Sequence, residues 1–487
     1  MFVIDEFKYL DERGQEDLGR QSSEQIGGAG TYYSVGARIH LPADQVGQVV
    51  HLGNVFPFLD NTTSGSSSST SPPASGSSSG STALNEDTNS TPTNSTSETP
   101  TSDTNIYIDI TSKPLKPKQG DNLNTKAKPK AEIEAETEAT NPNPKNAADE
   151  PTQSTLETYG PEMWEFLQRG DIDGRGTTRA LNIFKVGGEA RDFRFLTPPI
   201  RIYPQDIFDS PRFFSKSKED RNCRPCSVHF PSAPTRTREI LQQIDRIDEE
   251  LRQGTAGQED EGWDPELIWE PFPMNCTHRE WPEHAALLPR MTVFSPNHVE
   301  SLALLGKIPS PYTSDEELEG LLGEWGRVDE VLEEVGKELL RVMLEGGSGS
   351  TRHRGWERGV VIRCGSKGCL LFTANGIAGL PAYYTESTED QGQVVDVTGG
   401  GNAFLGGLVA GLASRPGMTL VEAACYGSVS ASFTIQQAGL PVLTKRDGVE
   451  MWNGETSEHR LRAFCKRHGF PVGDPYNAEA QSLWAPR

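Results

Sequence analysis

No stretch of this 487-residue sequence approaches the ~18–20 consecutive apolar residues that a membrane-spanning helix needs. Apolar residues are scarce throughout, at 34%, against the about 45–50% (Gly included) usual in globular domains. Part of the chain therefore has no core to build. Basic residues are outnumbered: 46 Lys and Arg against 69 Asp and Glu leave a net charge of −23, which repels nucleic-acid phosphates and anionic membrane surfaces. Neither nucleic acid nor a membrane is expected as a partner. The seven cysteines are odd in number and scattered, a pattern that speaks against a disulfide framework and suits a reducing compartment. Residues 1–12 lack the basic start and apolar core of a signal peptide, so a cytoplasmic, or else nuclear, protein is expected.

What is abundant is polar low complexity. Residues 61–155 are mostly Ser, Thr, Asn, Pro and Gly, followed by Lys, Glu, Ala and Pro. Such a segment cannot bury enough apolar area to offset an ordering cost of about 1–2 kcal/mol per residue, and it is read as a disordered insertion. Insertion is tolerable because each doubling of a loop costs only about 0.6 kcal/mol. The reading divides the chain into residues 1–60, the insertion, residues 156–455 completing the same domain, and a C-terminal helix and tail over 456–487. Protein partners, if any, would use the insertion.

Outside it, periodicity specifies elements. Residues 191–198 alternate as a strand, and Ile240, Leu241, Ile244, Ile247 and Leu251 recur at helical spacing beneath a charged face. Residues 264–271 and 291–295 read as short buried strands, the first ending at Pro271. Residues 314–345 read as helical, with four glycines arguing against one rod. Strands alternating with helices predict a mostly parallel, doubly wound α/β sheet.

The most informative block begins at Gly359. Two short strands flank a tight turn carrying Gly365 and Gly368, and then comes Val394-Val-Asp396-Val-Thr398-Gly399-Gly400-Gly401-Asn402, followed by small and apolar residues. The reading is a buried strand, a glycine turn and a helix. Backbone N–H groups of three glycines can converge on an anion, and a helix start behind them adds about half a positive charge. The alternative is a flexible glycine linker. Thr419 and Glu422 form a capping box for a further helix expected to reach about Ala438 and stop at Gly439.

Residues 359–440 resemble the C-terminal half of PfkB-type carbohydrate kinases, whose signature reads Asp-Thr-Thr-Gly-Ala-Gly-Asp-Ala-Phe. Asp396, Thr398, Gly399, Gly401, Ala403, Phe404 and Gly407 fall in register with it. Gly27-Gly28-Ala29 followed by Val35-Gly-Ala-Arg-Ile39 resembles the family's N-terminal sugar-site signature, and Pro296-Asn297-His-Val-Glu300 its Asn-X-X-Glu motif. The Gly-Gly-Gly-Asn variant, Thr177-Thr-Arg-Ala-Leu-Asn182 and Trp269-Glu-Pro271 are closest to a fungal subgroup named for maintenance of a killer virus. The resemblance implies a ribokinase-like three-layer αβα fold with a small β lid. It also implies ATP along the Gly365–Gly368 turn with Asp396 and Thr398, an anion hole at 399–401, and Mg²⁺ near Asn297 and Glu300. A sugar-like hydroxyl would be held at Asp5, Gly27 and Gly28, with Asp5 at the end of the first strand. Only Met1 to Ile4 precede Asp5, so either that strand is short or the starting methionine is misassigned.

The departures decide between functions. Where the family has its catalytic aspartate this chain has Asn402, and an amide cannot take a proton near neutral pH. General-base help is typically worth 10²–10⁴ in rate, or about 3–5 kcal/mol. Arg363 replaces the usual Thr before the glycine turn, Tyr32 an Asn, and Val55 an Asp. One expectation is an ATP-dependent kinase for a sugar-like alcohol, impaired at its base. The other is a pseudokinase that binds nucleotide and regulates or docks other proteins. On the first, an aspartate restored at 402 would raise turnover by orders of magnitude, and a valine at 400 would block the anion. Cys223-X-X-Cys226-X-X-His229 could be a zinc half-site with Cys276 and His278 as partners, but the spacing of that second pair fits no finger or ribbon, and a reduced surface pair is the reading preferred. His298 is read as a packing or surface residue rather than a base.

Overall fold

The structure is a computed structural model, and it describes residues 3–11, 15, 23–52, 109–111, 150–168, 176–185, 191–216, 224–253, 262–345, 355–385, 390 and 392–470. Val55, Cys223 and most of the insertion lie outside the described residues. Strands in chain order are β1 (Val3–Leu10), β2 (Ser23–Gly27), β3 (Val46–Leu52), β4 (Asp109–Thr111), β5 (Trp164–Gln168), β6 (Arg179–Lys185), β7 (Arg191–Phe195), β8 (Ser227–Ser232), β9 (Glu266–Pro271), β10 (Val293–Phe294), β11 (Gly359–Arg363), β12 (Cys369–Thr373), β13 (Gly376–Leu380), β14 (Leu443–Arg446) and β15 (Val449–Trp452).

A nine-stranded sheet runs β13-β12-β11-β10-β9-β8-β4-β3-β5, and a four-stranded sheet runs β2-β1-β6-β7. The centre of the larger sheet, β8 to β11, is parallel, whereas β12, β13 and β4 pair antiparallel. Its strands are buried on both faces, which is why they read as apolar runs rather than alternations. In β9, Leu267 and Trp269 join one core while Ile268 joins the other. Val360 and Ile362 of β11 likewise face away from Val361. One core takes the helices Pro234–Gln253 and Trp325–Glu345; the other takes Ala29–Arg38, Gly400–Ser414 and Leu420–Thr434. The result is the expected three-layer α/β arrangement with a small lid sheet.

The helix Pro234–Gln253 buries Ile240, Leu241, Ile244, Ile247 and Leu251, the residues its periodicity singled out. Each such side chain, fully buried, is worth about 1.5–3 kcal/mol. The 314–345 segment divides into Asp315–Leu322 and Trp325–Glu345 at Gly323, whose φ of 99° ends the first helix. Among the described residues no helix is long and apolar enough to cross a membrane.

Four expectations are corrected. The stretch 61–155 is not structureless throughout: β4 is built into the large sheet, and the helix Glu150–Glu157 buries Thr152 and Leu156. Composition averaged over a long window hides such short pieces. The valine-rich run before the glycine turn is not a strand, and Val394, Val395 and Val397 are exposed. The N–H groups of Val395 and Asp396 both donate to the Ile435 carbonyl rather than to a neighbouring strand. Asp5 is the third residue of the lid strand β1, which runs on to Leu10, rather than the end of the first strand. Finally, the Leu420–Thr434 helix begins at the expected capping box but ends short of Ala438, with Gly439 (φ 82°) in the turn beyond.

Candidate functional site

The lid strand β1 pairs with both β2 and β6, and this brings three sequence-distant polar groups together. Asp5 Oδ2 accepts from the Gly28 N–H at 3.0 Å, and Oδ1 accepts from Asn182 Nδ2 at 3.1 Å. Gly28 adopts φ 92°, a conformation that only glycine reaches without strain. A Cβ on Gly27 would lie 2.0 Å from Asp5 Oδ2, so both glycines are needed to seat this carboxylate.

Opposite the lid, the Gly400–Ser414 helix starts from Gly399, which is left-handed at φ 78°. Asp396 Oδ1 accepts from the Thr398 N–H at 2.9 Å and shapes the turn into it. The three glycines have different neighbours. A Cβ on Gly399 would meet the Tyr32 ring at 2.3 Å, one on Gly401 would meet Arg363 Nη1 at 2.5 Å, and one on Gly400 would meet Ile435 Cγ2 at 2.8 Å. Gly399 and Gly401 line a cavity, and Gly400 is buried against Ile435. A valine at 400 therefore tests packing against Ile435 rather than access of an anion.

That cavity, about 410 Å³, is lined by Asp5, Gly28 and Asn182 from the lid side and by Thr398, Gly399, Gly401 and Asn402 from the turn. Glu270, Asn297, Glu300 and Arg363 complete its polar wall. Of the residues read as site residues, Gly27 supports Asp5 from behind, and Asp396 acts on the turn without lining the cavity. Gly365 and Gly368 do not line it either; they form the β11–β12 connection, where a Cβ on Gly368 would lie 2.0 Å from the Leu380 carbonyl oxygen.

The centre of the site is an ionic network. Glu270, next to last in β9, receives the Asn402 amide on Oε2 at 2.7 Å, with His229 Nε2 3.2 Å from the same oxygen. Arg363 Nη1 lies 2.9 Å from Oε1 and donates through Nη2 to the Ser295 carbonyl at 3.0 Å. The guanidinium thus folds back over the glycine turn, where its positive charge adds to the helix N-terminus. Burial pushes the Glu270 carboxyl up, but Arg363 and His229 outweigh it and hold it below its ordinary value. Thr398 Oγ1 and Arg363 Nε are buried without a hydrogen-bond partner among the described residues, and both residues line the cavity.

Asn297 and Glu300 form a reciprocal capping box on the helix His298–Leu304: Asn297 Oδ1 accepts from the Glu300 N–H and Glu300 Oε2 from the Asn297 N–H, each at 2.7 Å. Those two oxygens are committed. Among the described residues no three His, Cys, Asp or Glu side chains are arranged to hold a metal ion. His229 serves Glu270, Cys276 Sγ donates to the Phe272 carbonyl and His278 faces the Leu304 carbonyl, so these three do not converge on a metal. His298 Nε2 pairs with Asp315 at 2.8 Å and its ring meets Trp325 edge-on, while His298 and Asp315 both line the cavity.

Sequence reasoning singled out neither Glu270 nor His229 for this site; it took Arg363 only as a departure from the family's pattern, and Asn182 only as part of a run that marks the fungal subgroup. A charged residue between Trp269 and Pro271, at the carboxyl end of a buried parallel strand, was the available signal, because ligands of such sheets gather there.

Residues 350–443 match the family model described as pfkB family carbohydrate kinase. An uncharacterised protein of Schizosaccharomyces pombe is 28% identical over 301 residues, covering 60% of this chain and 70% of that protein. Protein MAK32 of Saccharomyces cerevisiae is 26% identical over 319 residues, covering 63% and 74%. Among solved structures, adenosine kinase from Anopheles gambiae, crystallised with a diadenosine tetraphosphate, covers 90% of this chain and 94% of its own at 13% identity, with a TM-score of 0.45.

Proposed function

We propose that this chain, a PfkB-like protein of the fungal subgroup to which Protein MAK32 belongs, binds a nucleoside triphosphate and a small polyhydroxylated ligand in the lid-to-turn cavity. The reaction supported is slow phosphoryl transfer between them. The observation that carries the reading is the cavity itself. It faces a carboxylate–amide pair suited to hydroxyls, Asp5 with Asn182, toward a glycine turn at a helix start, with Arg363 above it and Thr398 Oγ1 unsatisfied. Hydroxyl groups want paired donors and acceptors, and phosphates want N–H groups and a guanidinium.

The terminal phosphates would lie at Thr398, Gly399 and Gly401, with Arg363 meeting their charge. Of the residues in the wall, Glu300 would offer Mg²⁺ its second carboxylate oxygen, and phosphate oxygens and water would supply the remaining ligands, as this ion prefers. Positioning and charge compensation are most of what phosphoryl transfer requires of a protein. The second reading, a nucleotide-binding regulator without turnover, is favoured by Asn402 and by the Tyr32 ring lying against Gly399.

Calorimetry with a non-hydrolysable ATP analogue, with and without Mg²⁺, tests the common core of both readings. Saturable 1:1 binding that weakens when Arg363 becomes Ala is the expected result. Absence of binding under both conditions would refute it.

A further inference from the structure

The position 402 side chain does not stand alone: it donates to another cavity-lining group, the Glu270 carboxylate, at 2.7 Å. We propose that Glu270, at the end of β9, is the proton acceptor of this site, with Asn402 at the start of the Gly400–Ser414 helix as the amide that holds it. The inference rests on the phosphoryl-transfer reading above and deepens it.

Three observations support it. Glu270 is 11% exposed at its side chain and lines the cavity, so an incoming hydroxyl can reach it. Its carboxylate is held in place from three sides, by Asn402, by Arg363 at 2.9 Å and by His229 at 3.2 Å, while the His229 ring is fixed by stacking on Tyr33 at 4.0 Å. Asn402 offers Glu270 an N–H, whereas a carboxylate at 402 would place two like charges about 2.7 Å apart, sharing one proton. An amide at 402 is therefore what a base at 270 requires. This changes the expectation for Asn402→Asp, which no longer simply restores a missing group.

In the step, the acceptor hydroxyl oxygen forms a bond to the γ-phosphorus while its proton passes to a Glu270 oxygen. The bond from the γ-phosphorus to the β–γ bridging oxygen breaks, and its electron pair leaves with the nucleoside diphosphate. Protonated Glu270 then releases its proton to solvent.

The test compares wild type, E270Q, N402D and the E270Q/N402D double variant. Turnover of MgATP is measured alone and with ribose, adenosine and myo-inositol, beside MgATP affinity and the melting temperature. E270Q is expected to lose 10²–10⁴-fold in kcat with MgATP affinity within threefold of wild type. In the double variant the amide introduced at position 270 donates to the carboxylate introduced at position 402, and most of the rate returns. N402D alone stays below the double variant. Should E270Q fail to fold, E270D keeps the charge opposite Arg363 but draws the oxygens back by one methylene, and its kcat is expected to fall with folding retained. A structural counter-ion role would not produce rescue by the swap.

Wild-type turnover in folded E270Q or E270D, or an N402D rate above that of the double variant, overturns the assignment. A wild type that binds MgATP and turns over nothing overturns it too, leaving nucleotide binding intact. Failure of the wild type to bind MgATP refutes the function proposed above as well.

Discussion

Glu300 offers the cleanest measure of what the site's electrostatics cost, because Gln can replace it without dismantling its local structure. Gln retains an oxygen to accept from the Asn297 N–H, and capping boxes accept either residue. The titrating charge is what disappears. In the wild type, burial pushes the Glu300 carboxyl from 4.5 up to about 7; the Arg363 guanidinium, the Asn297 N–H and His298 hold it down, and Glu270 adds to the rise. The folded value lies above the unfolded one, so the contribution is fully present below pH 4.5 and is lost as pH rises through about 7.

The gap of about 7 − 4.5, at 1.36 kcal/mol per unit, is an order-of-magnitude penalty of about 3 kcal/mol for the ionised fold. Part of it is already present at pH 5, so from pH 5 to pH 8.5 the stability of E300Q relative to wild type should rise by about 2–3 kcal/mol. Glu270, held below its ordinary value mainly by Arg363 against the effect of burial, loses its contribution only as pH falls, and does so in both proteins. With a urea slope of about 3 kcal/mol/M, the midpoints should separate by roughly 1 M at pH 8.5 and by only about 0.3 M at pH 5. A separation that is flat across this range, or that narrows as pH rises, refutes the buried-charge account.

Gly400→Val should lower the unfolding free energy by about 1–3 kcal/mol through overpacking against Ile435, with MgATP affinity of the folded fraction kept; a selective loss of affinity would instead place Gly400 at the anion. Gly401→Ala pushes Arg363 Nη1 off the turn and should weaken MgATP binding about tenfold by titration, with the melting temperature changed less than in Gly400→Val; unchanged affinity would remove Arg363 from the anion site. Replacing residues 61–103 by a short Gly/Ser linker should leave the melting temperature almost unchanged, while a replacement running through 155 should lower it by several degrees. The longer deletion removes β4 and most of the helix that buries Leu156, whose carbonyl accepts from Trp164 Nε1 at 2.7 Å. Equal melting temperatures for the two would show that these pieces do not pack.

What the chain determines by itself is local. The Pro234–Gln253 helix, the capping boxes at Asn297, Ser314 and Thr419, the break at Gly323 and the glycine turn at 399–401 each rest on residues within a few positions of one another. Propensity, capping and positive φ act over that range. The buried strands β9 and β11 were legible because burial on both faces leaves an unbroken apolar run. The same logic failed at residues 394–398, where among the described residues an apolar run pairs with no strand and the N–H groups of Val395 and Asp396 donate to the Ile435 carbonyl.

The chemistry of the site was decided only by tertiary structure. Asn402 meets Glu270 across 132 residues of sequence, Asn182 meets Asp5 across 177, Arg363 lies over Gly401, and Tyr32 lies against Gly399. Read as a motif, Asn402 is a missing base; read in the fold, it is a donor to a carboxylate from another strand. No periodicity or capping rule encodes such a pair, because hydrogen bonds between distant residues exist only once strand order and register have placed both side chains in one cavity.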